Sequence, residues 1–325
     1  MCRPDARSPP TPCPGRRACL QAIGALALGS VPAMVPTRAR GENASITVTD
    51  ALGRRVHLPA PPQRIVSIFA SNTELLHALG ATERIVGIEA FTRYPPDIHE
   101  GRVIVGGRLG FSAETIARLE PDLVIMTPAR QAANTLLRPM EIIGVPVVVL
   151  LHRDLEQIFA NLRLLGQVLG DPLHARAVIL RLTRRLDRVA SGLEGVHRPR
   201  VYVETGQNDR GNFSTLRRGT YSHDALHLAG GDNVFADLQN ITQVSGEAVI
   251  AADPEVILVT RRDGDVGSVQ RRTGWHRISA VRHGRVHAVP RELLLIPGPR
   301  IVDGVETMAA LLHPQRMGNQ ASAHA

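Results

Sequence analysis

The chain has 325 residues, of which 43% are hydrophobic and 21% are charged, a composition typical of a globular protein with room for two domains of about 100 to 150 residues each. The formal net charge of +8 does not indicate a nucleic-acid-binding protein, because residues 1–39 carry five arginines and one aspartate and so account for half of it. No run of basic residues interleaved with aromatic residues occurs either. The basic side chains are all arginine, so an arginine in a loop is by itself weak evidence for a binding site.

Residues 1–39 have the features of a signal peptide. Arg16 and Arg17 precede an apolar stretch at residues 18–34 that is too short to cross a bilayer. Cleavage is expected after Ala33 or Ala39, because alanine provides the small residue that is required at the last position before the cleavage site. Export by the twin-arginine route and by the general route both remain open, because the order after Arg17 only partly resembles a twin-arginine signal.

All the cysteines of the chain lie in this N-terminal segment: Cys2, Cys13 and Cys19. The mature protein would therefore have neither a disulfide nor a thiolate metal site. Cys19 precedes the apolar stretch, which is the wrong side for a lipid anchor. We expect a soluble periplasmic protein.

Short apolar runs follow in the order expected of two parallel α/β layers. A hairpin is predicted over residues 46–63, with a turn at Gly53, and strands at 64–68, 84–88, 103–107, 122–126 and 147–150. The pattern restarts after Val201, with runs at 201–204, 255–259 and 286–289. The predicted organisation is an N-terminal α/β lobe at 40–151, a helical connector at 152–197, a C-terminal α/β lobe at 198–314 and a tail at 315–325.

The connector shows helical spacing twice, with a break at Gly170, Asp171 and Pro172. A second helix over residues 172–193 would extend about 33 Å at 1.5 Å per residue. That length is enough to brace two lobes.

One phrase occurs twice without a gap. SAETIARLEPDLVI begins at Ser112 and SGEAVIAADPEVIL begins at Ser245, an offset of 133 residues. Serine caps a helix, glutamate in the first turn suits the helix dipole, and the proline ends the helix before an apolar strand. Each lobe is thus predicted to contain one unit of cap, helix, turn and strand. On the residues alone, the two glutamates either support their caps or serve a function common to both lobes.

The order of the motifs resembles the periplasmic substrate-binding proteins of ATP-driven (ABC) importers for metal chelates, namely ferric siderophores, cobalamin and haem. The resemblance covers about residues 46–314 and is carried by TVTDALGRRVHLP, PQRIVSI, SNTELLHALGATERIVGI, the repeated phrase, LAGGDNVFADL and PGPRIVDGVETMAALLHP. It implies two α/β lobes bridged by a single long helix, with the ligand cleft between the lobes. In that family one glutamate on each lobe docks against arginines of the membrane permease. The matching residues here are Glu114 and Glu247, and a monomer is expected.

Ligands of open α/β sheets lie beyond the carboxyl ends of the strands. The predicted cleft residues follow the strands and are rich in arginine, which binds carboxylates bidentately: Ser71, Asn72, Tyr94, Arg108, Arg130, Asn208, Arg210, Arg261 and Arg300. Arg108 ranks first, because ferric-siderophore members of the family carry a ligand-binding arginine six residues before the first glutamate. The resemblance therefore favours an iron-siderophore-type chelate.

Cobalamin is the alternative, because LAGGDNVF and PGPRIVDG resemble phrases of corrinoid binders. Haem ranks below both, since Gly107 occupies the position where haem binders of the family carry a ligating tyrosine.

We expect no cofactor and no metal centre, and interpret His223 and His227 as a solvated or capping pair. Motifs of hydrolases, zinc enzymes and phosphate-binding loops are absent from the sequence, so we expect no enzyme, and an exported enzyme is only a remote alternative. A receptor that signals through a membrane partner would show the same lobes.

Overall fold

The computed structural model describes residues 45–107, 110–127, 132–208, 211–239, 242–260 and 266–321. The predicted signal peptide and its cleavage sites lie outside these residues. Within the described part of the chain, no helix has both the length and the apolar character that a membrane span requires.

The N-terminal lobe is built on a six-stranded sheet that follows a two-stranded hairpin. In the sheet order β6-β5-β4-β3-β7-β8, every pair is parallel except β5 with β6. The elements are β1 (Ile46–Thr49), β2 (Arg55–Leu58), β3 (Ile65–Ser67), α1 (Ala70–Ala78), β4 (Ile85–Glu89), β5 (Val103–Gly107), β6 (Gly110–Phe111), α2 (Ala113–Arg118), β7 (Leu123–Met126), α3 (Ala132–Ile142) and β8 (Val147–Val149). The hairpin turns at Gly53, whose φ of 76° suits glycine.

Two helices connect the lobes: α4 (Leu155–Val168) and α5 (Pro172–Gly192). Gly170 ends the first with a φ of 76°, and Asp171 caps the second by accepting a hydrogen bond from the His174 N–H at 2.9 Å. Pro172 occupies the first turn of α5, where its missing N–H costs nothing. The break between the two connector helices therefore lies at the residues predicted for it, 170–172.

The C-terminal lobe repeats the parallel layer in a smaller form. Its main sheet has the order β12-β9-β14-β15 and is entirely parallel, and β10, β11 and β13 form a small antiparallel sheet. The elements are β9 (Arg200–Glu204), β10 (Gly206–Gln207), β11 (Phe213–Ser214), α6 (Tyr221–Leu228), β12 (Asp232–Asn233), β13 (Gln243–Val244), α7 (Gly246–Ala252), β14 (Val256–Val259), α8 (Val266–Gln270), α9 (Ser279–Arg282), β15 (Val286–Ala288), α10 (Arg291–Leu295), α11 (Ile301–Leu312) and α12 (Pro314–Ala321). The predicted tail begins within α12, where Met317 is buried.

One apolar core continues from the N-terminal lobe through the connector into the C-terminal lobe. It joins Ile65 of the first sheet and Val201 of the second to Leu162 and Leu165 of α4, all of them fully buried. Burial of a side chain of this size contributes about 1.5 to 3 kcal/mol. The two-lobe α/β fold predicted from the resemblance is confirmed. The bridge, expected to be a single long helix, consists of α4 and the longer α5.

The two copies of the repeated phrase fold alike. Ser112 Oγ accepts a hydrogen bond from the Thr115 N–H at 3.1 Å, and Ser245 Oγ accepts one from the Ala248 N–H at 3.2 Å. At the equivalent positions before the prolines, Glu120 and Asp253 adopt left-handed geometry with φ of 44° and 40°. β7 and β14 then pair in parallel with β3 and β9.

His152 ties the start of the connector to the N-terminal lobe as a neutral ring. Its Nε2 lies 3.1 Å from Asn72 Oδ1 and from Thr127 Oγ1, and its Nδ1 lies 3.3 Å from Asn161 Nδ2. The Asn161 amide nitrogen also donates to the Leu151 carbonyl at 2.8 Å, so Nδ1 faces a donor and must act as an acceptor. Burial lowers the pKa of His152 to about 4.

Glu120→Gly should raise the free energy of unfolding by about 0.5 to 1 kcal/mol, because glycine adopts the left-handed region without the steric cost of a Cβ. The Glu120 side chain is exposed. Asp253→Gly is the matched control: its carboxylate accepts from the Ser279 N–H at 2.6 Å and the Ser279 hydroxyl at 2.9 Å, so removal cancels the gain. Chemical denaturation of both variants measures the difference. Equal destabilisation by both would contradict the strain at Glu120.

Stability should fall as pH drops from 6.5 towards 4, because the folded protein holds His152 neutral while the unfolded chain takes up the proton. Well above pH 6.5 the ring is neutral in both the folded and the unfolded state, so the titration of His152 takes nothing from stability there. At 1.36 kcal/mol per pKa unit the loss is about 3 kcal/mol. His152→Gln replaces the imidazole with an amide, which can still donate and accept hydrogen bonds but does not titrate, so the stability of this variant should depend less on pH over this range. Melting curves of both proteins across that range separate His152 from the other histidines. Parallel curves would show that His152 does not titrate with folding.

Candidate functional site

A cleft of about 960 Å³ lies between the two lobes, at the upper end of the roughly 300 to 1,000 Å³ that is typical of ligand pockets. Its N-terminal wall follows β3 and β4, and its C-terminal wall follows β15, as expected for a site beyond the carboxyl ends of parallel strands. The lining residues are Ala70, Glu89, Phe91, Arg93, Tyr94, Ala288, Val289, Pro290, Arg291, Glu292, Leu295, Ile296 and Arg300.

The N-terminal wall combines a buried carboxylate with an exposed aromatic ring. Glu89 is the last residue of β4 and only 6% exposed, and its Oε1 accepts a hydrogen bond from the Ala70 N–H at 2.8 Å. Burial raises the pKa of Glu89, and the bond from Ala70 partly offsets that rise. Phe91 is 54% exposed although it is aromatic. A large exposed apolar side chain in a cleft is a surface for a ligand to cover.

The C-terminal wall is formed by the chain that follows β15. Arg291 begins α10 and donates from Nη1 to the Thr205 carbonyl at 2.7 Å. Leu295 and Ile296 supply apolar surface at the end of the same helix. Tyr221 holds this helix end by donating to the Leu295 carbonyl at 2.9 Å.

An ion pair joins the lobes at the edge of the cleft. Arg300 Nη2 lies 2.5 Å from Oε1 of Glu74, whose side chain is 1% exposed, and the guanidinium lies 4.1 Å from the centre of the Tyr94 ring. Burial raises the pKa of Glu74, and the hydrogen bond and charge of Arg300 partly offset that rise. Arg300 therefore contacts two residues of the opposite lobe with the same group.

The charges of the described cleft residues nearly balance. The cations are Arg93, Arg291 and Arg300, and the carboxylates are Glu89 and Glu292, with Glu74 behind Arg300. The Arg93 guanidinium donates to the carbonyls of Ala90 and Thr92 at 2.8 and 3.0 Å. The described walls thus offer donors and acceptors without a large excess of either charge.

The structure brings two of the predicted cleft residues to the cleft wall, Tyr94 and Arg300. Ser71 and Asn72 adjoin it in sequence but are buried in the first turn of α1, and both contact His152. Asn208 lies in the C-terminal lobe, where its Nδ2 donates to Gln243 Oε1 at 2.9 Å. Arg108, Arg130, Arg210 and Arg261 lie outside the described residues.

The predicted set of cleft residues leaves out several residues that line the cleft, among them Glu89, Phe91, Arg93 and Arg291. A signal was present, because Phe91 and Arg93 stand beside Tyr94 after β4, and Arg291 follows β15 in the same way. Glu89 closes an apolar run and reads as the end of a strand.

The two repeated glutamates are exposed on separate lobes. Glu114 lies in α2, 82% exposed, with its Oε1 2.6 Å from Arg118 Nη1. Glu247 lies in α7 and is fully exposed, and hydrogen bonds from its own backbone N–H and from Ser245 lower its pKa. Both side chains are accessible to a partner. His223 and His227 lie in α6, where His223 Nδ1 is 3.3 Å from Asn233 Nδ2 and the His227 carbonyl accepts from Arg198. No cluster of potential metal ligands occurs among the described residues.

Residues 65–293 match the model of the family described as "Periplasmic binding protein". An uncharacterised ABC transporter substrate-binding lipoprotein of Bacillus subtilis is 25% identical over 83% of this chain and 86% of its own length. A vitamin B12-binding protein of Vibrio cholerae is 26% identical over 78% of this chain and 90% of its own length.

Among solved structures, a periplasmic haem-binding protein of Roseiflexus sp. RS-1 superimposes with a TM-score of 0.68 at 26% identity, over 78% of this chain and 98% of that one. The matching family and these relatives are substrate-binding proteins and not enzymes, as the sequence predicted. Because the family match spans more than half of the sequence, the chain belongs to the periplasmic binding protein family.

Proposed function

We propose that this chain is the extracytoplasmic solute-binding component of an ABC importer, which captures a metal chelate of the iron, haem or cobalamin type and delivers it to a membrane permease. The cleft between the lobes carries the proposal, because it is large and its walls combine apolar surface with a few placed polar groups. Relatives with such names cover most of the chain. The protein would reach the periplasm through its predicted signal peptide and act there as a monomer.

A corrinoid fits the described cleft walls best. The peripheral amides of a corrinoid both donate and accept hydrogen bonds, so they suit walls on which arginines and carboxylates alternate. Phe91, Leu295 and Ile296 give apolar surface for the ring. A trianionic ferric chelate would instead meet Glu89 and Glu292, and like charges in a cleft oppose binding. The vitamin B12-binding relatives support the same choice.

An iron-siderophore chelate is the second candidate. Arg93, Arg291 and Arg300 all line the cleft, and arginine is well suited to carboxylate groups of a ligand. The sequence-based hypothesis gave this chelate first place on Arg108, which lies outside the described residues.

Delivery to the permease would use Glu114 and Glu247, one on each lobe. Exposed ion pairs contribute only about 0 to 1 kcal/mol each, so these two cannot hold a tight complex by themselves. They can steer encounter and set orientation, since charges at the rim of an interface act mainly on the association rate.

The cargo prediction is that a corrinoid saturates the protein and that its affinity changes little between low and high salt. Calorimetry is a better measurement than intrinsic tryptophan fluorescence. Trp275 is 2% exposed and packs against Tyr202 and Phe213 away from the cleft lining, so its fluorescence would report poorly on a ligand in the cleft. Titrations with cyanocobalamin, haemin, a ferric hydroxamate and a ferric catecholate decide the class. Tighter binding of a ferric chelate, with an affinity that falls as salt rises, would overturn the corrinoid choice in favour of the second candidate.

Arg291→Ala sharpens that comparison. Loss of the guanidinium should cost an anionic chelate about 1.5 to 3 kcal/mol, whereas a neutral amide partner should lose about 0.5 to 1.5 kcal/mol. Arg55→Ala is the control, because Arg55 is exposed on β2 and does not line the cleft.

The docking prediction concerns Glu114→Ala, Glu247→Ala and the double variant. Each single change should reduce cargo uptake into proteoliposomes, the double change should reduce it further, and cargo affinity in solution should stay the same because neither residue lines the cleft. If the glutamates only support their helix caps, the variants would melt at lower temperature and still transport. Normal uptake by the double variant would therefore remove the case for docking.

A further inference from the structure

The two helices that present Glu114 and Glu247 are held by equivalent contacts. Arg64 precedes β3 and donates to the carbonyls of Leu119 and Glu120 at 2.7 and 3.2 Å. Arg200 begins β9 and donates to the carbonyls of Ala252 and Asp253 at 2.5 and 3.2 Å. These acceptors are equivalent in the repeat, at the same offset of 133 residues.

The backbone at these two arginines is fixed in the same way. The Arg64 N–H donates to Asp122 Oδ1 at 2.9 Å, and the Arg200 N–H donates to Glu255 Oε2 at 2.8 Å. With serine caps at one end and arginine donors at the other, α2 and α7 are matched supports for their glutamates. The two helices differ in the charge that lies beside each glutamate.

That difference lies one turn after each glutamate. Arg118 stands four residues after Glu114, and the equivalent residue after Glu247 is Ala251. Arg118 Nη1 lies 2.6 Å from Glu114 Oε1, with Arg118 64% exposed. Ala251 is exposed as well, and the described residues place no cation within ion-pair distance of Glu247.

An arginine beside Glu114 opposes a cationic partner in two ways. It already occupies one carboxylate oxygen, and its own positive charge repels an arginine that approaches the same helix. The order of glutamate before arginine at a spacing of four residues is also the favourable one within a helix, so the internal pair persists until a partner displaces it.

We propose that Arg118 weakens the contact of the N-terminal lobe with the permease, so that the two lobes dock unequally and Glu247 makes the stronger contribution. This inference rests on the docking role proposed above. It assigns Arg118 as a residue that tunes recognition of a cationic partner surface.

The test is the association rate of the mature protein with its reconstituted permease in nanodiscs, measured at low and high salt. Arg118→Ala should raise the rate at low salt by about 1.5- to 5-fold, as expected for an exposed ion pair. Ala251→Arg places the same partner beside Glu247 and should lower the rate by a similar factor. Both differences should shrink at high salt. Arg118→Lys keeps the charge and should leave the rate unchanged.

The single glutamate variants separate this inference from the docking proposal itself. Glu247→Ala should slow association more than Glu114→Ala. If both glutamate variants slow association equally, or if Arg118→Ala and Ala251→Arg leave the rate unchanged, Arg118 has no such role while docking stands. If neither glutamate variant changes the rate, the docking proposal fails and the inference with it. Melting temperatures of all variants exclude loss of folded protein as the cause.

Discussion

The orientation of the two lobes depends on the apolar core that passes through the connector. Leu162 and Leu165 of α4 are fully buried in the same cluster as strands from both sheets, and such close-packed interiors resist sliding. The Glu74–Arg300 pair adds a polar contact between the lobes. Because removal of one partner from a buried pair leaves an uncompensated charge, this contact also specifies one arrangement. The cleft walls therefore face each other before a ligand arrives, and closure on a ligand should be small compared with that of hinged binding proteins.

A preformed cleft changes what its arginines can do. Arg93, Arg291 and Arg300 each donate to a carbonyl or carboxylate of the protein itself. These contacts fix the side chains before binding and so reduce the conformational entropy that is lost when a ligand binds. They also use part of the donor capacity of each guanidinium, which leaves fewer donors for a highly charged ligand. An amide-bearing chelate needs only the donors that remain.

The sequence predicted the hairpin, the longer strands of both parallel sheets, the break in the connector and the repeated unit, because each depends on residues that are close in the chain. It did not predict the two-residue strands β6, β10, β11, β12 and β13, which are too short to show an apolar run. The position of the cleft was less predictable. Residues after parallel strands lie at the correct edge of the sheet, yet the first turn of α1 directs Asn72 towards His152 while Tyr94 reaches the cleft. The rule locates an edge and does not give the direction of a side chain. Arg64 and Arg200 were missed for a similar reason, since their acceptors are more than fifty residues away.

The repeated unit shows how structural and surface constraints act on one motif. Arg64 and Arg200 satisfy carbonyl groups at helix ends, where an unpaired polar group is costly, so the two lobes need the same residue type there. Arg118 and Ala251 lie on the exposed side of the same helices, where an ion pair adds little to stability. The exposed position is therefore free to differ between the lobes without loss of the fold. A change there alters the charge that a partner meets, and leaves the position of the glutamate backbone as it was.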